Sequence, residues 1–90
     1  MNVIFDRSFN KSIDKINDKS VKERLLALIV SMEQANSISE LTAIKPMKGH
    51  TGYYRIRIGD YRVGFELINS NEILLILVAH RKDIYKRFPK

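Results

Sequence analysis

The sequence predicts an α+β domain in which an antiparallel sheet carries a helical hairpin on one face and ends in a short C-terminal helix, in the order β-α-α-β-β-β. A change of period along the chain supports this fold class. Apolar residues recur at helical spacing from residue 9 to residue 35, and they alternate with a period of two from residue 54 onward. With 90 residues, 44% of them hydrophobic, the chain is long enough for one compact domain over residues 1–90 and too short for two.

The first strand and the first helix are both short. Asn2–Phe5 is an apolar run that predicts a strand. Phe9, Ile13 and Ile16 then follow at helical spacing, and polar residues lie on the other side of the predicted helix. Ser8 is the expected N-cap of this helix, because a serine hydroxyl accepts a hydrogen bond from the first turn.

A second helix follows the polar break at residues 17–18. Ser20 and Glu23 have the spacing of a capping box, in which each side chain bonds the backbone N–H of the other residue. The apolar stripe of this helix runs to about Ala35 and consists of Val21, Leu25, Leu28, Ile29 and Met32. Two helices joined by a tight polar turn predict a helical hairpin.

The second half of the chain begins with a loop and a β-hairpin. Residues 36–52 are rich in turn residues and predict a connecting loop, with one helical turn near Ser39–Ile44. Tyr54–Ile58 and Tyr61–Leu67 alternate between apolar and polar residues, which predicts two strands. Gly59-Asp60 between them predicts a two-residue type II′ turn, because glycine adopts the positive φ that its first position requires.

The last predicted elements are a turn, a strand and a short tail. Residues 69–71 predict a second turn. Ile73–Ala79 is a continuous apolar run, typical of a strand that is covered on both faces. Residues 80–88 predict an amphipathic tail of one or two helical turns.

The first turn fixes which residues of the hairpin face each other. The expected pairs are Ile58 with Tyr61, Arg57 with Arg62, Ile56 with Val63, Arg55 with Gly64 and Tyr54 with Phe65. The apolar side chains then lie on the face toward the helices, and Arg55, Arg57 and Arg62 lie on the other face. A slip of one residue would bury these three arginines, so the alternation determines the register.

The net charge of +6 lies entirely in the second half of the chain. Residues 1–43 hold six basic and six acidic side chains, whereas residues 44–90 hold ten basic and four acidic ones. This asymmetry indicates a polyanion, an acidic protein or an anionic membrane surface as partner. The longest apolar run has seven residues, too few to span a membrane, and the N-terminus lacks the pattern of a signal peptide. The absence of cysteine excludes disulfides, cysteine zinc sites and thiol nucleophiles, and it fits a cytoplasmic protein.

The arginine face predicts an anion site. Arg57 and Arg62 repel each other across the hairpin at a cost of up to about 1 kcal/mol, and Glu66 is too distant to offset this repulsion. An anion between the strands would offset it, because a guanidinium grips phosphate oxygens in pairs. Arg81 follows the last strand and could join the cluster. The alternative is a solvated, charged sheet face that keeps the protein in solution.

The hairpin and the end of the chain together resemble the RelE/ParE superfamily of bacterial type II toxins. The resemblance rests on Tyr53-Tyr54-Arg55-Ile56-Arg57-Ile58-Gly59-Asp60-Tyr61-Arg62-Val63 and on His80-Arg81-Lys82-Asp83-Ile84-Tyr85. It covers essentially the whole chain and implies a RelE-like fold. It also implies a small acidic antitoxin encoded in the same operon, whose complex with the toxin binds operator DNA through the antitoxin.

For a RelE-type member the resemblance implies an endoribonuclease that cuts mRNA in the ribosomal A site. The ribose 2′-hydroxyl attacks the adjacent phosphodiester and leaves a 2′,3′-cyclic phosphate and a 5′-hydroxyl. The catalytic residues carried over by position are Arg55, Arg57, Arg62, Arg81 and Tyr85. Arg62 and Arg81 would hold the scissile phosphate and stabilise its added charge, and Tyr85 would orient a base or pass a proton.

The general base stays open. Some RelE-type toxins carry lysine where this chain has Arg55 and Arg57, and an arginine effectively cannot deprotonate. Tyr85, His80 and water are the candidates, together with His50 in the loop before the hairpin. Alternation also allows His80 to face the core, and a lone loop histidine is often merely solvated. Two histidines and no cysteine predict no metal site, and no cofactor is expected.

Further basic residues are expected to dock on mRNA and on the ribosome, which offers rRNA phosphates at every approach. They are Lys45, Lys48, Lys82, Lys86 and Arg87, with Lys90 at the end of the tail. Ile84 and Phe88, four residues apart, either pack on the sheet or contact the antitoxin. Two alternatives remain: a ParE-like toxin that inhibits DNA gyrase without catalysis, and a plain nucleic-acid-binding module. No membrane partner is expected.

Overall fold

The structure is a computed structural model that describes residues 1–89, and its centre is a five-stranded sheet with helices on both faces. The elements in chain order are β1 (Asn2–Phe5), α1 (Arg7–Ile13), α2 (Lys19–Gln34), a 3₁₀ turn (Ile38–Glu40), β2 (Ile44–Pro46), β3 (Tyr53–Ile58), β4 (Tyr61–Asn69), β5 (Glu72–His80) and α3 (Ile84–Arg87). The strands lie in the order β1-β5-β4-β3-β2. The predicted α+β class, the helical hairpin and the short C-terminal helix are confirmed.

Two features of the sheet differ from the prediction. β1 pairs with β5 in parallel, so the sheet is mixed rather than antiparallel. A parallel pair needs a long crossover and no tight turn, so no local signal in the sequence set the direction of β1. A further strand, β2, lies in the predicted loop and pairs antiparallel with β3. Its three residues are too few to show an alternation, and the helical turn of this loop lies at Ile38–Glu40, ahead of the predicted position.

The N-caps of α1 and α2 are aspartates rather than the predicted serines. The side chain of Asp6 accepts a hydrogen bond from the backbone N–H of Ser8 at 3.0 Å, so Asp6 and not Ser8 caps α1. Asp18 accepts from the N–H groups of Ser20 and Val21 at 2.9 and 3.2 Å, and it replaces the predicted capping box. Aspartate and serine are equally good N-caps, so residue type alone does not decide between neighbouring candidates.

The main core lies between the sheet and the helical hairpin, as predicted. Its buried members include Phe9, Ile16, Val21, Leu25, Met32, Ile56, Ile58, Val63, Phe65, Ile73, Leu75 and Val78. A second, smaller cluster lies on the opposite face of the sheet, where α3 packs, and consists of Met47, Leu77, Ala79, Ile84 and Phe88. β5 lies between β1 and β4 and is covered on both faces, which confirms the prediction for this strand.

Candidate functional site

The predicted hairpin register is confirmed at every pair. The backbone pairs Ile58 with Tyr61, Arg57 with Arg62, Ile56 with Val63, Arg55 with Gly64 and Tyr54 with Phe65. Gly59 opens the turn with φ of 56°. The apolar partners lie in the main core, so the arginines lie on the α3 face of the sheet. β2 adds Lys45 opposite Arg55, which places four cations on three neighbouring strands.

Arg62 is held by the turn that precedes it. Its Nη1 donates to the carbonyl oxygens of Gly59 at 2.9 Å and of Tyr61 at 3.0 Å. These two bonds leave the other guanidinium N–H groups available for an anion, because a guanidinium carries five donors. The turn therefore fixes the position of the Arg62 side chain without using up its capacity to bind.

The positive charges of the cluster repel one another, and this repulsion disfavours the protonated form of Arg62. Burial lowers the pKa of the Arg62 guanidinium below its ordinary value, and the positive charge of Arg55 lowers it further. The charges of Arg57 and Arg81 act in the same direction, whereas Tyr85 raises the pKa. Arginine stays protonated at neutral pH, so the folded protein carries this repulsion. Within residues 1–89, no carboxylate forms an ion pair with Arg55, Arg57 or Arg62.

Arg81 has a carboxylate partner, but the pair is loose. Its backbone N–H donates to the carbonyl oxygen of Asp60 at 2.7 Å, which ties the end of β5 to the hairpin turn. The Arg81 Nε lies 3.8 Å from Asp60 Oδ1, and the side chains are 57% and 73% exposed. An exposed pair of this kind contributes little to stability. The backbone of Arg81 is therefore held at the edge of the cluster, while its side chain can leave Asp60 and bind an anion such as a phosphate.

Tyr85 comes from α3 and lies beside Arg55. The Arg55 guanidinium carbon is 5.5 Å from the centroid of the Tyr85 ring, and this ring is 57% exposed. Two cavities adjoin at Arg55. One, of about 390 Å³, is lined by Ala43, Ile44, Lys45, Arg55, Arg57 and Arg62. The other, of about 350 Å³, is lined by Pro46, Met47, Lys48, His50, Arg55, Tyr85, Phe88 and Pro89. An anion cradle thus lies next to a hollow that has aromatic and apolar walls.

The two histidines lie in different places. His80 packs edge-on against Tyr61, at 5.7 Å between ring centroids, and its Nδ1 accepts from the N–H of Lys82 at 3.2 Å. Tyr61 belongs to the helix side of the sheet, so the structure does not bring His80 to the arginines. His50 does line the Tyr85 cavity, where its ring stands edge-on to Tyr53 at 6.4 Å.

Comparisons with known proteins show the family to which the chain belongs. A sequence model of the family described as ParE toxin of type II toxin-antitoxin system, parDE, matches residues 3–85. The chain belongs to the RelE/ParE superfamily of type II toxins. Over 90 residues it is 38% identical to Toxin RelE3 of Methanocaldococcus jannaschii, covering 99% of this chain and all of the relative. The resemblance drawn from the sequence is confirmed, and the protein is the toxin of a type II toxin–antitoxin system.

Solved structures support the same fold for the toxin. The RelB–RelE antitoxin–toxin complex from Methanococcus jannaschii contains a chain that superposes with a TM-score of 0.81 at 35% identity, covering 96% of this chain and 99% of that one. The intact E. coli RelBE complex gives a TM-score of 0.68 at 21% identity over 88% of this chain and 94% of that one, which supports the fold alone. The RelE-like fold is therefore shown.

The remaining basic residues that the sequence predicted as RNA contacts lie in several places on the toxin. Lys45 and Lys48 line the two cavities of the arginine face. Lys86 and Arg87 line a cavity of about 380 Å³ beside Ser8, and Lys82 is exposed just after β5. Lys90 lies outside the described residues.

Ile84 and Phe88 are 0% and 2% exposed and pack on the sheet, which is the first of the two predicted roles, and their contact with an antitoxin stays a prediction. Both side chains pack against β5 and Met47, and the Phe88 ring also lines the Tyr85 cavity.

Sequence reasoning missed three contributors to the site of the toxin. Asp60 was assigned only to a turn, yet it holds Arg81. Met47 and Pro46 form walls of the Tyr85 cavity and lie in the predicted loop. The turn position of Asp60 between two arginine-bearing strands was a usable signal; no signal marked the loop residues. Among residues 1–89 there is no group of three or more metal-ligating side chains, and no helix long and apolar enough to cross a bilayer.

Proposed function

We propose that the toxin is a ribosome-dependent endoribonuclease that cuts mRNA in the A site and so stops translation. The observation that carries this proposal is the pairing of Arg57 and Arg62 without a carboxylate partner, beside a cavity of about 390 Å³. A bound anion would offset this repulsion, because a guanidinium grips phosphate oxygens in pairs. In an endoribonuclease that anion is the scissile phosphodiester.

The reaction proposed is an in-line transfer within the RNA. The ribose 2′-oxygen forms a bond to phosphorus while the bond from phosphorus to the 5′-oxygen breaks, giving a 2′,3′-cyclic phosphate and a 5′-hydroxyl. The proton of the 2′-hydroxyl passes to a base, and the leaving 5′-oxygen gains a proton. Negative charge grows on the phosphoryl oxygens, and Arg62 and Arg81 stabilise it, with Arg55 and Arg57 holding the neighbouring phosphates.

Tyr85 orients the substrate in this proposal. Its exposed ring lies against Arg55 and offers one face to a nucleobase, since aromatic rings stack on unpaired RNA bases. The base of the reaction is water or His50, which lines the adjoining cavity. His80 is the weaker candidate, because its ring lies on the helix side of the sheet.

The partners proposed follow from this activity and from the relatives. A small antitoxin encoded in the same operon silences the toxin, as RelE is found with RelB in the solved complexes. The toxin acts on mRNA and the ribosome in the cytoplasm, with Lys45, Lys48, Lys82, Lys86 and Arg87 as RNA contacts. The toxin–antitoxin complex binds operator DNA through the antitoxin. No cofactor enters the reaction.

A cleavage assay with purified ribosomes tests the proposal. Ribosomes programmed with a defined mRNA are incubated with the toxin, and the ends of the RNA are mapped. We expect a cut within the A-site codon, at least 100-fold slower with Arg62→Ala because one transition-state donor is lost. Arg7→Ala, which removes an exposed arginine from α1, is the matched control and should cleave normally. Uncut mRNA, together with inhibition of gyrase supercoiling that Arg62→Ala leaves unchanged, would favour the ParE-like alternative.

A further inference from the structure

The face of the sheet that carries the arginines has a second half with different chemistry. Strand pairing places Ile4, Leu74, Glu66 and Tyr53 side by side in one row across β1, β5, β4 and β3. We call these four residues the Glu66 row. Phe88 lies over Gly64 and 5.8 Å from the ring of Tyr53, and so marks the boundary between this row and the arginines.

No element of the described chain covers the Glu66 row. α3 packs on Leu77, Ala79 and Met47, on the other side of Phe88. Ile4 is 41% exposed although it is a large aliphatic residue in a strand, and Leu74 is only half-buried. A hollow of about 220 Å³ opens over three members of the row, Tyr53, Glu66 and Leu74, and its other lining residues are Asp6, Ser8, Ile76 and Phe88. An apolar strip of this kind beside a hollow is typical of an interaction surface.

The carboxylate of Glu66 restricts which partners can cover this surface. Its side chain is half-buried between Leu74 and Tyr53, and within residues 1–89 it has neither an ion pair nor a hydrogen bond. Neither the row nor the lining of its hollow contains a lysine or an arginine. A partner that covers the row must offer Glu66 a positive charge or hydrogen-bond donors, and a lysine or an arginine supplies both.

The same charge argument selects the class of partner. Nucleic acid does not fit, because its phosphates would meet the carboxylate of Glu66 and find no lysine or arginine in the lining of the hollow. A second copy of the chain is disfavoured by the net charge of +6 that each copy carries. A protein segment that presents aliphatic side chains and one lysine or arginine fits both the apolar strip and the carboxylate.

We propose that the Glu66 row is a docking surface for the antitoxin, an inference that rests on the antitoxin partnership proposed above. The bound segment places aliphatic side chains on Ile4 and Leu74 and a lysine or arginine on Glu66. Acidic side chains of the same antitoxin cover the arginines on the other side of Phe88. From Tyr53 to Arg57 is about 13 Å along β3, so a stretch of about five extended residues reaches both halves. The antitoxin therefore carries acidic side chains where it covers the arginines and one basic side chain where it meets Glu66, although its net charge is negative.

The test measures binding of the toxin to the protein encoded by the adjacent reading frame, both purified, by calorimetry. We expect Glu66→Lys to weaken binding at least tenfold and Ile4→Ser about threefold to tenfold. Leu26→Ser is the matched control, because Leu26 is a 64% exposed aliphatic on α2, and it should change affinity less than twofold. Reversing the facing cation of the antitoxin to glutamate should restore binding to Glu66→Lys. Cleavage on programmed ribosomes should be unchanged by Glu66→Lys, since Glu66 lies outside the arginine cluster.

The outcomes separate this inference from the function on which it rests. If no complex forms, the proposed antitoxin partnership is refuted, and with it the proposal that the antitoxin binds the Glu66 row. A complex whose affinity is unchanged by both Glu66→Lys and Ile4→Ser refutes the docking surface alone. Unchanged affinity with slower cleavage would assign the row to the ribosome and would also refute it. If a thermal melt shows that Glu66→Lys does not fold, the binding affinities of Glu66→Gln and Ile4→Ser decide instead. Each is compared with the affinity of Leu26→Ser, at the fold-changes given above.

Discussion

Replacing Gly64 with alanine would place a methyl group where the ring of Phe88 now lies. A β-carbon built on Gly64 comes within 2.6, 2.7 and 2.8 Å of three ring carbons of Phe88. Real β-carbons essentially never approach so closely, and Phe88 is 2% exposed, so its ring has little room to move. The backbone of Gly64 is not at positive φ, so this contact is the main cost of the substitution.

The size of the effect follows from two known costs. Overpacking a buried site destabilises a protein by about 1–3 kcal/mol. Truncating a buried phenylalanine to alanine costs about 3–5 kcal/mol, with the lower end expected here because α3 is a single turn. The double variant Gly64→Ala/Phe88→Ala removes the ring with which the new methyl group collides. We therefore expect its loss of stability to be smaller than the sum of the two single losses by about 1 kcal/mol or more.

Urea unfolding of the four proteins, followed by circular dichroism, measures this coupling. The same substitutions have a functional readout, because α3 carries Tyr85 and a displaced Phe88 moves Tyr85 away from Arg55. Cleavage by Gly64→Ala should therefore fall although every proposed catalytic side chain is present. Additive losses of stability, with normal cleavage by Gly64→Ala, would refute the claim that Phe88 on Gly64 positions Tyr85.

Three further outcomes follow from the site. Arg57→Gln should raise the free energy of unfolding by about 0.2–1 kcal/mol at low salt, because it removes the repulsion of Arg62. A stabilisation that persists in 0.5 M salt, or a destabilisation in urea melts at low salt, would contradict the role of repulsion. Tyr85→Phe should keep cleavage within about threefold while Tyr85→Ala lowers it at least tenfold, since stacking needs only the ring; equal losses would indicate proton transfer by the hydroxyl. His80→Ala should leave the cleavage rate unchanged and lower the melting temperature through lost contact with Tyr61, and a large loss of cleavage would return His80 to the site.

The hairpin and its arginines could be predicted because their information is local. A period of two and a turn of two residues determine which strand residues face each other, and one slip would bury three charges. The same reasoning places Arg55, Arg57 and Arg62 on one face, and the structure agrees at each pair. The helices were found from the helical spacing of apolar residues, although their caps were assigned to the wrong neighbours.

What the sequence did not reveal depends on contacts between distant parts of the chain. The direction of β1 is set by β5, whose paired residues are 70 positions away, and no turn records it. The spacing of Ile84 and Phe88 predicted a packed helix, but nothing in it selects the arginine face of the sheet. Gly64 is a further case, because only the structure reveals that its missing side chain makes room for Phe88. The Glu66 row likewise exists only once β1 has joined the sheet.

One measurement tests the proposed chemistry most directly. Ribosomes carry an mRNA in which the ribose 5′ to the scissile phosphate is replaced by 2′-deoxyribose, and cleavage by the toxin is followed by mass spectrometry of the RNA ends. If the 2′-hydroxyl is the nucleophile, the modified mRNA remains intact, while the unmodified mRNA gives a 2′,3′-cyclic phosphate and a 5′-hydroxyl. Equal cleavage of both RNAs, or products with a 3′-hydroxyl and a 5′-phosphate, would contradict it.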